Sequence, residues 1–481
     1  MKGSENMVMM KMKGVSSSTM VALLFFCSIL IAAHMTLSPS SSSSSSTSII
    51  SLISSSPLHS ELENPRGEIR KEMKQDQVQS QPSKSPITTQ ITCDRTSPRY
   101  DLCSINGPTA VDPTTATFFV MGPKRTTKPI IVEKIKPYPR KFEGPVMAEI
   151  KNVTLVSGPQ SPPCKVHHNV PALVFSVGGY TGNFYHDFND GFFPLFITVN
   201  TILRDQDFVI VISEGPDWWS TKYKDFLLMF SKHPIVTLEN DTSTHCFPWA
   251  HLGLITHGFM TLNQTLLSNS KSYLHFRHIL HEAYGYQNQT LAPKKPISRR
   301  PRLVLASRNG TTGRALMNEK EAIQVMEEVG FDVAVFEPND NTSLHESYAL
   351  INSSEALIGV HGAALTHSLF LRPGAVFLQI VPIGTEWAAN AFFGSVAKGL
   401  NLEYIEYRIK VNESSLVEEY GKDNLMLKNP FALQKNGWPT EIMDIYLKKQ
   451  NVKLDLVRFK EYVKEAYKKA NKFMHKENNI N

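Results

Sequence analysis

A chain of 481 residues with 41% hydrophobic content is too long for one ordinary core, so two domains are the default expectation. Its net charge of +6 is mild and spread along the chain, without an arginine-rich stripe interleaved with aromatics, which argues against a nucleic-acid partner. Five cysteines with no C-x-x-C spacing argue against a zinc site.

The first distinctive segment is MVALLFFCSILIAAHMTL, Met20 to Leu37: eighteen residues with one histidine and no charge, preceded by Lys2, Lys11 and Lys13. A run of this length can span a bilayer with the lysines held on the cytoplasmic side. The expected arrangement is a cytoplasmic tail of residues 1–19 and an uncleaved signal anchor over 20–37. A cleaved signal peptide is the rival reading, because IAAHM offers small residues. Both readings send the remainder into the secretory pathway. Residues 38–90 open with SPSSSSSSSTS and bury too little apolar surface to fold, so a disordered stem is expected. Anchor, stem and large domain are the plan of a single-pass type II enzyme of the Golgi membrane, its catalytic domain lumenal. Beyond Cys27, the cysteines Cys93, Cys103, Cys164 and Cys246 can pair two by two; Cys93–Cys103 with Cys164–Cys246 is the expected connectivity among three. Sequons at Asn152, Asn240, Asn263, Asn288, Asn309, Asn341, Asn352 and Asn412 suit a lumenal surface.

Residues 91–292 are expected to form a Rossmann-like domain. ALVFSV (172–177) reads as a strand, GYTGNFYHDFNDGFFPLF (179–196) as a glycine turn and helix, and FVIVIS, KYKDFLLMFSK and IVTLEN as strand, helix and strand. Asn183, His186 and Asp190 recur three and four apart, so one helical face carries all three. The plain alternative is a capped helix start with a buried polar pair. RDQDFVIVI holds Asp205 and Asp207 before its strand, where they read as a turn rather than a metal site.

LAPKKPISRRP (291–301) is a proline-rich basic linker. In residues 298–435, RLVLA, FDVAVF, ALIGV, AVFLQIV and LEYIEYRI alternate with helical segments. NEKEAIQVMEEVGF, for example, places Ala322, Val325, Met326 and Val329 at helical spacing, with Asn318 and Glu321 resembling a capping box. This alternation means a parallel sheet with crossover helices. Residues 436–481 end in an amphipathic basic helix. Two Rossmann-like halves, a linker and a terminal helix describe the GT-B glycosyltransferase architecture, an α/β fold with two domains facing a cleft.

Two loops fall where such sheets bind ligands, at the carboxyl ends of strands. In SRNGTTGR, Arg308 and Arg314 flank a glycine turn, and each guanidinium can give a diphosphate two parallel hydrogen bonds. In GVHGAALTH, Gly362, Ala363 and Ala364 leave backbone N–H groups open to an anion at a helix start, with His361 beside them. Close helix–sheet packing and a solvated basic loop are the plain alternatives. On the opposite half, a carboxylate or imidazole is needed to take the proton of an acceptor hydroxyl. Asp190 is the first choice and His186 the second. Asn183 is expected to contact the acceptor, as is Asp187, which lies on a neighbouring face and is less favoured as base. The arginines and the helix start, rather than a metal, are expected to neutralise the leaving diphosphate.

GNFYHDFNDGFFPLF, SRNGTTGRALMNEKE, GVHGAALTHSLFLRPGAVFLQIVP and EWAANAFFGSVAKGLNLEYIEYRI, in this order over roughly residues 90–470, resemble plant members of glycosyltransferase family 61. The resemblance implies an inverting GT-B enzyme that uses a UDP-sugar. Its Asn–His–Phe–Asp motif falls on Asn183, His186, Phe188 and Asp190, its arginines on Arg308 and Arg314, and its H-G-A segment on His361, Gly362 and Ala363. Distant relatives carry an acid near Gln379; here the residue is an amide, and Glu386 is the candidate ribose-binding carboxylate. The implied activity is transfer of xylose or arabinofuranose from a UDP-sugar to xylan side positions in the Golgi. Other cell-wall glycosyltransferases are implied as complex partners. An N-glycan core β-1,2-xylosyltransferase and a catalytically dead carbohydrate-binding scaffold are the alternatives.

Overall fold

The computed structural model describes residues 90–121, 131–157, 161–267, 270–285, 300–308, 313–434 and 439–478. The expected cytoplasmic tail, anchor and nearly all of the stem lie outside the described residues, as do most of the linker and the sequons at Asn288 and Asn309. Among the described residues no helix is long and apolar enough to cross a membrane. The described part is one compact unit of mixed α/β structure with three sheets.

The N-terminal half departs from the simple alternating unit expected for 91–292. It holds two six-stranded sheets. The first contains four parallel strands in the order Ala250–Leu252, Ala172–Phe175, Val209–Ile212, Val236–Thr237, extended by antiparallel Leu102–Ile105 and Ile91–Asp94. The second runs Ile131–Ile135, Val153–Ser157, Thr117–Val120, Thr109–Asp112, His245–Phe247, Val166–His167, with parallel and antiparallel pairs mixed. The period-2 alternation of strands explains the layering. Ala172, Val174, Val209 and Val211 face the second sheet, and Leu173, Phe175, Ile210 and Ile212 face the helices. With both faces covered, these strands read as unbroken apolar runs. The expected disulfides are present: Cys93 and Cys103 are direct cross-strand partners, and Cys164 is bonded to Cys246.

The C-terminal half follows its sequence pattern closely. Five parallel strands lie in the order Asp332–Phe336, Arg302–Ala306, Ala356–Val360, Val376–Val381, Glu403–Arg408. The order of chain connection therefore reverses between Arg302–Ala306 and Ala356–Val360, which opens a crevice at their carboxyl ends. Leu303, Leu305, Ile358 and Leu378 pack on one side, where the terminal helix Leu456–Asn478 adds Phe459, Val463, Ala466 and Ala470. Val304, Leu357 and Phe377 pack on the other, in the same cluster as Leu173 and Phe175, so one apolar core joins the two halves. Asn318 starts the helix Glu319–Val329 without a side-chain cap. Its amide instead exchanges two 2.9 Å hydrogen bonds with the backbone of Leu454, fixing the approach to the terminal helix. Ser343 does cap Leu344–Asn352 as its sequence suggests.

Two buried histidines make this fold sensitive to acid. Burial pushes His251 and His367 down to about 4. The unfolded rings protonate near pH 6.5, so the native state refuses protons that the unfolded chain accepts. Their contribution is complete above pH 6.5 and is lost as pH falls towards 4. The expected loss is about 1.4 kcal/mol per pH unit for each ring. Urea midpoints at pH 7.5 and pH 5 check this, and a midpoint independent of pH would show that both rings charge in place.

Candidate active site

The segment that carries the sequence motif is a continuous helical run. Phe184–His186 is α-helical, Asp187–Phe192 forms a π segment, Phe193–Thr198 returns to α and Val199–Leu203 is again π. The run starts where the Asn183 side chain accepts from the Tyr185 N–H at 3.1 Å. It is anchored by Phe188, Phe192, Phe193 and Phe196, all essentially buried against Trp219, Phe226 and Phe276. A π segment widens the helix by one residue per turn, a distortion common at functional sites. Here it coincides with Asp187 and Asp190.

The two acids have different surroundings. Asp187 does not line the large cleft: its carboxylate accepts from Trp219 Nε1 at 3.1 Å and Tyr223 Oη at 2.8 Å and is 5% exposed. Burial raises its pKa against those two hydrogen bonds. It ties the helical run to the neighbouring helix, so the expected acceptor contact is not what its geometry provides. Asp190 is 3% exposed and surrounded by donors: Tyr138 Oη at 3.0 Å, Arg140 Nε at 2.9 Å, Asn189 Nδ2 at 2.5 Å and His186 Nδ1 at 2.9 Å. Burial alone would raise its carboxyl, but the His186 bond and the Arg140 charge outweigh it and hold it below the usual range. A carboxylate so placed stays ionised, and its oxygens are already engaged by donors.

His186 complements it. Arg140 NH2 also lies 3.2 Å from Nδ1, yet a carboxylate at 2.9 Å requires that nitrogen to carry the proton. The lone pair is then on Nε2, which has no hydrogen-bond partner among the described residues. Tyr180 stacks on the ring with centroids 4.3 Å apart. Arg140 also pairs with Glu143 at 2.6 Å. An imidazole oriented by a buried carboxylate, with its second nitrogen open, is the arrangement of an activated general base.

Across the cleft lies a cavity of about 480 Å³ at the switch point of the parallel sheet. It is lined by Asn183, Phe184 and Lys222 from one half, and by Ser307, Arg308, Glu337, Asp340, Ala363, Ala364 and His367 from the other. The HGA segment opens onto 3₁₀ helix Ala363–Phe370 rather than an α-helix. His367 contacts the Ala364 carbonyl at 2.8 Å and stacks on Phe184 at 4.2 Å, bridging the halves. The Arg308 guanidinium lies directly over Gly362: a Cβ there would be 2.2 Å from Arg308 NH2, so any side chain would push the guanidinium aside. Arg308 forms no ion pair among the described residues. Burial lowers its pKa. Arg314 stands in the left-handed region at φ 59° and donates to the His361 carbonyl at 3.0 Å. Its Nε is buried without a partner, and burial together with Arg308 pushes it down to about 9. His361 is 3% exposed and held neutral by burial and by the two arginines. Gln379 Nε2 lies 2.8 Å from its Nδ1, while the Gln379 Oε1 accepts from Tyr404 at 2.7 Å. The amide donates to Nδ1, so the ring proton is on Nε2. Two guanidiniums and an imidazole donor thus gather at strand ends with no acid paired to them among the described residues.

A family model, Glycosyltransferase 61, matches residues 184–378, which contain the dyad, both loops and the strands Arg302–Ala306, Asp332–Phe336 and Ala356–Val360. The chain is 39% identical over 398 residues to the xylan glycosyltransferase MUCI21 of Arabidopsis thaliana, covering 79% of this chain and 80% of that relative. This chain belongs to glycosyltransferase family 61. Two further members of the family, both from Oryza sativa subsp. japonica, are similar. The alpha-1,3-arabinosyltransferase XAT3 is 35% identical, with coverage of 79% of this chain and 65% of that one. The beta-1,2-xylosyltransferase XYXT1 is 31% identical, with coverage of 78% and 83%.

As a family 61 glycosyltransferase, the chain places most of the sequence-derived residues together. Asn183, Arg308 and Ala363 meet at the cavity, with Gly362, Arg314 and His361 immediately behind, and His186 and Asp190 form one dyad. Glu386 does not line the cavity. It begins the short helix Glu386–Ala389 and acts electrostatically on Arg408 and Tyr446. The acids that do line it, Glu337 and Asp340, were missed. The available signal was position: Glu337 directly follows the strand beside Arg302–Ala306, where a doubly wound sheet places its ribose-binding acid. Tyr138 and Arg140 were also missed, because YPR lies in irregular chain with no periodicity. Asp205 lies in a turn at φ 67°, and Asp207 pairs on the surface with His233 at 2.9 Å. Among the described residues no cluster of three or more His, Cys, Asp or Glu is placed to hold a metal.

Proposed function

We propose that this glycosyltransferase transfers xylose or arabinofuranose from a UDP-sugar to side positions of xylan, with inversion, across a GT-B cleft and without a metal. The observation that carries the nucleotide reading is Arg308 and Arg314 at the strand ends with no acid paired to them among the described residues, which suits a diphosphate. The pentose and xylan reading rests on relatives named for xylan, arabinosyl and xylosyl transfer. His186 Nε2 takes the proton of the acceptor hydroxyl, and Asp190 stabilises the imidazolium formed. The freed oxygen attacks the anomeric carbon from the face opposite the diphosphate, and the carbon–oxygen bond to the diphosphate breaks as the new one forms. UDP departs with its added charge held by Arg308, Arg314 and the Nε2–H of His361. The apolar run Met20–Leu37 and the sequons favour a type II Golgi membrane protein, acting alone or with other cell-wall glycosyltransferases.

The test is the full-length chain incubated with a panel of UDP-sugars, and with xylo-oligosaccharides or N-glycans as acceptors, with and without EDTA. UDP-xylose or UDP-arabinofuranose with xylo-oligosaccharide should yield product at the same rate in chelator. Product on N-glycan alone would assign the core xylosyltransferase activity. No UDP binding and no transfer would leave a carbohydrate-binding scaffold. Loss of activity in EDTA restored by manganese would show that the arginines do not suffice.

A further inference from the structure

Beside the dyad runs a strip of aromatic rings that the reaction steps above do not use. Phe142 and Phe259 come from one half, Trp387 and Phe392 from the other. Phe142 meets Phe259 edge-on at 6.1 Å, Phe259 meets Trp387 at 5.9 Å and Phe392 at 5.4 Å, and Trp387 meets Phe392 at 5.7 Å. Phe142 is 49% exposed and Trp387 is 53% exposed, so large apolar surface from each half is open to solvent at the two ends of this strip. The rings cross at 87°, 89° and 73°. Ring faces therefore point in successive directions along the strip rather than forming one flat patch.

Both ends of the chemistry touch this strip. The Arg140 guanidinium, bonded to Asp190 and beside His186, lies 5.8 Å from the Phe142 centroid and 5.7 Å from Phe259. Phe392 lies 4.8 Å from Tyr185, which adjoins His186, and 6.0 Å from His361 in the nucleotide loop. Arg99 also lies over Phe142 and Phe259, at 5.8 Å from each, and has no ion pair among the described residues. Its donors are available to neutral hydroxyls.

We infer that Phe142, Phe259, Phe392 and Trp387 form the track for a neutral polysaccharide acceptor, stacking on the sugar rings that flank the residue modified at His186. The inference rests on the transferase reading above and adds where the acceptor lies. A pyranose presents apolar C–H faces and a rim of hydroxyls, which matches half-exposed rings beside an arginine that makes no ion pair among the described residues. A flat protein partner suits the strip less, because neighbouring rings stand steeply across one another and form no continuous plane.

Direct binding of xylohexaose, cellohexaose and mannohexaose to the full-length protein, by calorimetry with UDP present, tests this without needing turnover. Trp387→Ala and Phe142→Ala remove half-exposed rings, so both variants should fold. Each is expected to weaken binding of the preferred hexaose roughly five- to tenfold, while UDP affinity stays at the parent value. Trp387→Phe should keep most of the binding. Unchanged hexaose binding in both alanine variants would overturn the track and leave the transferase reading intact. Loss of UDP affinity instead would make the strip part of the donor site. Binding of cellohexaose or mannohexaose but not xylohexaose, weakened in Trp387→Ala, would keep the track and overturn xylan as the acceptor. No binding of any hexaose by the parent would overturn the track.

Discussion

His186→Ala should lower kcat by about 10²–10⁴ while UDP affinity and the urea midpoint remain those of the parent. The ring is partly exposed, and Tyr138, Arg140 and Asn189 still donate to Asp190 without it, so its removal costs the fold little. Asp190→Asn is expected to differ in kind. The amide cannot offset the imidazolium that forms, so the rate falls, and it also leaves Arg140 with Glu143 alone and Tyr138 with a poorer acceptor. An imperfectly satisfied buried group costs about 1–3 kcal/mol, so this variant should unfold measurably earlier in urea. The two substitutions separate base from orienter: rate loss at normal stability marks the base, and rate loss with a stability loss marks the residue that holds it. The opposite outcome, a near-normal rate in His186→Ala with collapse in Asp190→Asn, would return the proton to Asp190.

The sequence reading chose Asp190 over His186 because a carboxylate at a strand's carboxyl end is a ready base, and spacing places both on one face. Spacing cannot show how many donors converge on a side chain. Tyr138 and Arg140 come from irregular chain some fifty residues away, at separations of 52 and 50, and it is they that fill the lone pairs of Asp190. The same limit explains Asp187, whose partners Trp219 and Tyr223 lie on a different helix. The C-terminal half was legible because Arg302–Ala306, Ala356–Val360 and Val376–Val381 are apolar runs and Glu319–Val329 is periodic, so local pattern and global fold agree. The short strands between Ile91 and Ser157 were not, because they follow one another with little helix between them and their register comes from cross-strand partners. The arginine loop was found by chemistry rather than by pattern, since two guanidiniums around a glycine turn need an anion wherever the strand ends.

That anion sets the other large effect. Arg308→Ala and Arg314→Ala should each weaken UDP binding by about 1.5–3 kcal/mol, roughly ten- to a hundredfold. The same substitutions should leave the urea midpoint of the ligand-free protein unchanged or raised. A guanidinium shielded from water beside a second one, with no acid paired to it among the described residues, is a cost to the empty fold, and the Arg314 pKa, pushed down to about 9, has that origin. UDP therefore stabilises the parent more than either variant, and the thermal shift on adding UDP should shrink in both. Arg314→Lys restores a charge but not two parallel N–H donors, so it should recover only part of the affinity. The double variant should lose less than the sum of the single losses, because both guanidiniums act on one ligand and repel each other without it. If calorimetry gave parental UDP affinity in both alanine variants, the pair would have no phosphate to hold, and the cavity at the switch point would need another ligand.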